Sequence, residues 1–350
     1  MNAIRARRRR QLLVVAVMAM VGGTVACTPG PVAPPVPSST WDFTLRVGMP
    51  ADLVVTYGGM EAARAAVDSQ LATVNAAYAT QFDKPVRWRV KDFYSYSQSA
   101  DLERLTPLDG ADYHLIYSEN TLWDDGGWVP SSRSIVIRWT PAAGGVFGPY
   151  GADSLIHELG HARGAVDLYA LGVTGSNNPV NGQGFVPPSG FMTYPYGASA
   201  FDTYSENIVN ASGSLVYDDD HVVMQSLPST YRLAVTRAGA PVAGASVTLY
   251  PVPWFSSSVS PTPHMSGTTG EGGTWVLPDD PFDPSLSWPK WHLRYPSFLV
   301  EVVSGASVGY GWLTLHDAGN AFFAGQSAYQ LSVSLPIVSQ PGAQDGASTD

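Results

Sequence analysis

The residues best suited to chemistry lie in one stretch, His157-Glu158-Leu159-Gly160-His161-Ala162-Arg163-Gly164-Ala165-Val166-Asp167. Two histidines four apart sit one above the other on the same face of a helix. From there both imidazoles can reach a single Zn²⁺ at roughly 2.0–2.1 Å. Glu158, beside the first histidine, can point at a metal-bound water and take its proton. At ordinary residue frequencies such an HExxH run turns up in about one chain in a hundred of this length, so the rest of the chain must agree with it. Gly164 can end the helix in a left-handed conformation. The chain then turns back, and Asp167, six residues after His161, can approach the metal from a third side.

The elements that must position these groups read as an α+β layout. Phe43 to Val47 is strand-like, and residues 58–80 are Ala-rich with Ala62, Ala65, Ala66, Leu71, Val74 and Tyr78 available for one helical face. Pro85 to Phe93 alternates as a strand, Ala111 to Ser118 is another, and Gly127 to Pro130 with Ser134 to Trp139 forms a hairpin. After a glycine-rich loop, Asp153 or Ser154 is placed to cap the helix that carries the motif. The expected order is strand, long helix, three or four strands, then the site helix, in a domain spanning 41–228 with its sheet above the site.

With Gly164 and Asp167 included, the stretch resembles the metzincin clan of zinc peptidases, whose pattern is HExxHxxGxx followed by His or Asp. The Asp form is similar to the snapalysin-type small neutral proteases. The resemblance implies that His157, His161 and Asp167 bind one Zn²⁺ and that Glu158 is the general base. A carboxylate third ligand suits zinc, which accepts His₂-carboxylate sets and keeps a fourth position for water. The alternative for Asp167 is a loop acid bonded to backbone amides, with His114 or His221 as the nearest substitute ligands. Those two read better as a strand residue and a neighbour of Asp218-Asp219-Asp220. Further along, Gly190-Phe191-Met192-Thr193-Tyr194-Pro195 resembles the clan's Met-turn. By that resemblance Met192 floors the metal site and Tyr194 is a second catalytic residue, donating to the oxyanion. The motif also resembles IgA-protease-like zinc peptidases through Asp167-Leu168-Tyr169, although the spacing fits the metzincin pattern better. The clan further implies that substrate adds as a strand near Gly126 to Pro130. The polar stretch 173–188 reads either as a shaper of the primed side or as a plain flexible loop.

After Leu227-Pro228 the character becomes all-β, with strands expected at Tyr231 to Arg237, Ala245 to Val252, Thr274 to Leu277, Phe298 to Val303, Val308 to Leu315 and Ala328 to Leu335. Residues 229–338 therefore form an accessory sandwich, Ig-like or transthyretin-like. Pro241 to Tyr250 and Thr269 to Trp275 resemble carboxypeptidase-regulatory-like modules. Trp254, Trp275, Trp288, Trp291 and Trp312 could offer ligand platforms, but packing explains most of them more simply.

The N-terminus reads as a targeting segment, 1–26, with a basic run (Arg5, Arg7, Arg8, Arg9, Arg10) and an apolar run from Leu12 to Val21 too short to span a bilayer. Thr24-Val25-Ala26-Cys27 looks like a bacterial lipobox, although Thr24 stands where Leu is usual. Cys27, the only cysteine, is the candidate lipid anchor, and the other reading is an ordinary cleaved signal. Arg9-Arg10 faintly resembles a twin-arginine signal. Residues 27–40 form a Pro-rich spacer and 339–350 a disordered tail. Lys plus Arg is 19 against 29 Asp plus Glu; 19 less the five leader arginines leaves 14 against 29, a net of −15. So acidic a chain is a poor binder of nucleic acid or anionic membrane. The acid runs Asp124-Asp125 and Asp218 to Asp220 lack any EF-hand spacing, so Ca²⁺ is unsupported there and solvated loops are the better reading. The expectation is an exported, surface-anchored, monomeric zinc endopeptidase acting on proteins or peptides. Its rivals are a non-catalytic surface binding protein using the β-domain and a metalloenzyme acting on a small amide.

Overall fold

Four parallel strands and one antiparallel edge strand make the first sheet. In the computed structural model, residues 40–97, 108–118, 126–131, 133–138, 145–148, 150–216, 221–282 and 293–337 are described. The leader, Cys27, the spacer, the tail, both acid runs, Trp288 and Trp291 lie outside them. β1 (Trp41–Pro50), β2 (Val86–Tyr96), β3 (Tyr113–Ser118), β4 (Gly126–Ser131) and β5 (Ser134–Arg138) are arranged β2-β1-β3-β5-β4. Only the β4–β5 pair is antiparallel, as expected of a hairpin, and it leaves β4 on the edge. Parallel strands need crossovers. α1 (Ala51–Thr56) and α2 (Met60–Tyr78) join β1 to β2, and α2 buries Ala63, Val67, Leu71, Val74 and Tyr78 against the sheet.

Alternation along β3 decides what faces the site. Tyr113, Leu115 and Tyr117 join the main core with Ile135 and Ile137, whereas Ile116 and Val136 belong to a small cluster with Tyr94 and Tyr96. The motif helix α3 (Gly151–His161) packs on the main-core side, lying against α2, β4 and β5. Two tyrosines brace it: Tyr78 Oη donates to Ile156 O and Tyr113 Oη to Ala162 O, both at 2.9 Å. α4 (Thr203–Ser212) and α5 (His221–Gln225) complete this half.

The second half holds two sheets. β6 (Thr230–Arg237), β7 (Ala240–Pro241), β10 (Thr274–Val276) and β13 (Ala328–Leu335) form one, while β8 (Ser246–Val252), β9 (Met265–Thr268), β11 (Ser297–Ser304) and β12 (Ser307–Thr314) form the other. The expected strands are all present, but one helix was not expected: α6 (Leu315–Phe323), between β12 and β13. Thr314 caps it, accepting from Asp317 N at 3.1 Å. α6 packs on α4, where Gly319 leaves room for the Tyr204 ring; a Cβ at Gly319 would meet that ring at 2.1 Å. One core cluster runs through both halves, and the described residues fall in a single compact unit. The molecule is a mixed α/β structure with sandwich-like sheets. None of the described helices is long and apolar enough to cross a membrane.

Candidate metal centre

Gly164 has φ +84, and it ends α3 as the sequence suggests. Its N–H donates to His161 O at 2.8 Å and the next, Ala165 N–H, to Gly160 O at 3.0 Å, the paired bonds of a Schellman turn. The turn has a second use: Ala165 O accepts from His161 Nδ1 at 2.8 Å. His157 Nδ1 faces another carbonyl, Phe191 O, at 2.7 Å. A carbonyl only accepts, so each Nδ1 is the donor and each Nε2 is left free to face a metal ion.

The two Nε2 atoms converge with a carboxylate. His157 Nε2 and His161 Nε2 are 3.2 Å apart, and Asp167 Oδ1 stands 3.1 Å from each. A tetrahedral ion with bonds of roughly 2.0–2.1 Å separates its ligand atoms by about 3.3 Å, so the triangle has the right size for zinc. Among the described residues this is the one group of three His, Cys, Asp or Glu side chains able to hold a metal ion. The donor set fits the implied Zn²⁺.

The electrostatics agree with the geometry. Burial opposes charge on His161, yet the Asp167 carboxylate outweighs it and raises the imidazole to about 9. Asp167 is likewise buried, but the two histidines hold it well below the usual carboxylate range. The cluster attracts positive charge. Glu158, next to His157, is 4% exposed and its Oε2 has no hydrogen-bond partner among the described residues. Burial pushes its carboxyl up, against the pull of His157 and His161.

The 190–194 turn lies beneath the helix. Gly190 O accepts from Thr193 N at 3.0 Å and Tyr194 N at 3.1 Å. Phe191 O holds His157, and Met192 O accepts from Leu168 N at 2.8 Å, immediately after Asp167. Two successive carbonyls of one turn thus fix two arms of the site. Met192 is fully buried.

Several expected positions differ. Asp153 and Ser154 do not cap α3: the helix begins earlier, at Gly151, with Tyr150 at its N-cap and no side-chain cap bond. Asp153 instead accepts from Gly197 N at 3.1 Å, tying the helix to the chain beyond the turn. Tyr194 is 66% exposed; its ring packs edge-on against Tyr196, and no hydrogen bond or ring contact joins it to the four site residues. His114 points away from α3, since its neighbour Tyr113 points toward it, and its Nε2 lies 2.6 Å from Tyr94 Oη. The His221 side chain is outside the described residues.

Two features are sharper in the structure than in the sequence. Tyr169 lies nearly parallel to the His157 ring at 6.3 Å and 21°. Burial, and then the Asp167 carboxylate, push its hydroxyl far above the ordinary phenol range, so it remains a proton donor. The second is the fate of 173–185. Far from being loose, it closes on itself through the Val173–Phe185 bridge and seats Val173, Val180 and Phe185 against Val252, Val259, Leu299, Tyr310 and Trp312 of the sandwich. Those three apolar residues in a polar stretch were its legible signal. Trp312 packs at a tilt against Phe185, and Trp275 lies over Gly267, so both serve packing.

No family model matches the chain, and no curated protein matches it. Among solved structures, one described as the structure of a chaperone-substrate complex is similar at 14% identity, over 50% of this chain and 38% of that one, with a TM-score of 0.33. The chain thus spans about two fifths of that structure's length, and so slight a likeness carries no argument.

Proposed function

We propose that this chain is a zinc-dependent endopeptidase with a metzincin-like catalytic half and an Ig-like or transthyretin-like accessory sandwich. The observation that carries the reading is the convergence of two imidazole Nε2 atoms and one carboxylate oxygen beside a buried, unpaired Glu158. His157, His161 and Asp167 would hold the ion. When bound, Zn²⁺ lowers the pKa of a coordinated water to about 7 and polarises a carbonyl oxygen.

The chain's own groups do the rest. Glu158 accepts the proton of the attacking water at its carboxylate and passes it to the leaving amine nitrogen. The carbonyls of Phe191 and Ala165 keep both histidines in the tautomer that presents Nε2. Tyr194, and Tyr169 with its protonated hydroxyl, are the candidate donors to a developing oxyanion. β4, at the sheet edge beside α3, would receive an extended substrate as an added strand. The leader and Cys27 support export and anchoring at a bacterial surface.

The test is digestion of denatured casein by wild type and Glu158→Gln, with and without chelator. Wild type should carry about one Zn²⁺ and lose activity to the chelator, and Glu158→Gln should keep the metal and lose turnover. Equal inertness of both proteins would sink the peptidase reading and favour a surface binding protein.

A further inference from the structure

A turn of the sandwich reaches Tyr169, the ring that lies over His157. Between β8 and β9, Phe255 has φ +57 and Ser257 φ +49, left-handed values that residues with a Cβ adopt only under strain. The turn is held at both ends. Trp254 N donates to Arg294 O at 3.1 Å, while Val259 N and Ser258 Oγ both donate to Asn177 O at 3.0 Å. Ser256 Oγ closes it from within, donating to Pro253 O at 2.7 Å. So held, the Phe255 ring is 49% exposed, 5.7 Å from Tyr169 and with Trp254 edge-on behind it. Tyr169, 44% exposed, lies in turn over the His157 ring. Packing alone gives no reason to strain a backbone for a half-exposed phenyl ring.

We infer that Phe255 and Tyr169 form an aromatic wall of the substrate site, supplied jointly by both halves of the chain, that receives a large apolar side chain beside the scissile bond. The inference rests on the peptidase reading. Its chemistry is that of a specificity contact: stiff aromatic rings offer wide apolar area at small entropic cost and discriminate by the size of what they cover. Phe255 takes no part in proton transfer or metal binding.

The test uses full-length protein and a peptide library varied on either side of the cleaved bond. Phe255→Ala should lower kcat/KM about tenfold or more for large apolar side chains, the scale of apolar-pocket discrimination, and leave alanine or glycine peptides unchanged. Phe255→Trp should restore the preference. Phe255→Gly relieves the left-handed strain, so it should melt at or above the wild-type Tm while losing the same selectivity, an outcome a merely structural residue does not give. In a Glu158→Gln background, the Phe255→Ala change should weaken binding of the same labelled peptides selectively, with zinc content unaltered. If wild type cleaves and Phe255→Ala keeps its selectivity, or loses activity uniformly on all peptides, the wall is wrong and the peptidase reading stands. If wild type cleaves no peptide, both fall.

Discussion

Met192 lies directly against Gly160: a Cβ built on that glycine would stand 2.7 Å from Met192 Sδ, and 3.1 Å from the Phe201 ring. The glycine between the two histidines therefore belongs to the packing of the turn below it. Helix and turn meet at a contact where one side has no side chain and the other has a polarizable one.

Gly160→Ala should cost about 1–3 kcal/mol, the range for overpacking a buried site, because Met192 has no open side toward which to retreat. Met192→Ala should cost about 2–5 kcal/mol through the space it leaves. The double substitution should cost less than the two together, since each change relieves the other. Urea denaturation of the four proteins measures the coupling, and additive costs would deny the contact.

Gly164→Ala strains the left-handed turn at φ +84, whose bonds also position Ala165 O under His161. A loss of about 1 kcal/mol or more is expected, together with weaker zinc retention. Gly164→Asn should lie between glycine and alanine, because asparagine tolerates this conformation. Equal melting curves for all three would remove the turn from the account.

Asp167→Ala should weaken zinc retention by more than the ~10–100-fold that outer-shell changes cause in metal sites. His114→Ala should leave it unchanged, since that side chain faces the other side of β3. Competition with a metallochromic chelator reads both. Unchanged affinity in Asp167→Ala would move the third ligand elsewhere.

His114 also predicts a pH effect. Burial, and then the Arg46 guanidinium, lower its imidazole from 6.5 to about 4. Arg46 is itself held by Asp92 at 3.1 Å and Asp109 at 2.7 Å. Between those two pH values the unfolded chain binds the proton and the folded chain refuses it. Stability from this group is therefore full above about pH 6.5, falls by up to about 1.4 kcal/mol per pH unit below it, and levels off under about pH 4. His114→Gln should flatten that part of the profile in equilibrium urea melts. A difference between the two proteins that does not change with pH would contradict the assignment.

What the sequence disclosed follows how local each signal is. The strands of the first sheet, α2 and the motif helix rest on periodicity within a single element, and Gly164 marks its turn by residue type alone. Asp153 misled because a capping preference says which residues can cap and not where a helix starts; Gly151 begins it, in a place where a Cβ would strike Val146 O. α6 was missed because Gly319 and Asn320 weaken helix propensity, and the reason for Gly319 lies in another element, at the Tyr204 ring. The Phe255–Tyr169 contact joins residues 86 apart and has no local signature at all. The His157–His161–Asp167 cluster was legible because its three residues fall within eleven, whereas the side chains around it come from far along the chain.

The seating of 173–185 on the sandwich bears on heredity and on engineering alike. A module that can be exchanged between proteins presents a polar boundary, whereas Val173, Val180 and Phe185 meet Val252, Leu299 and Trp312 across an apolar one. The segment so fastened runs between the candidate third ligand and the turn beneath the site. Exchanging the sandwich for an unrelated one would leave that segment without its floor, so the two halves should be inherited, expressed and redesigned as one piece.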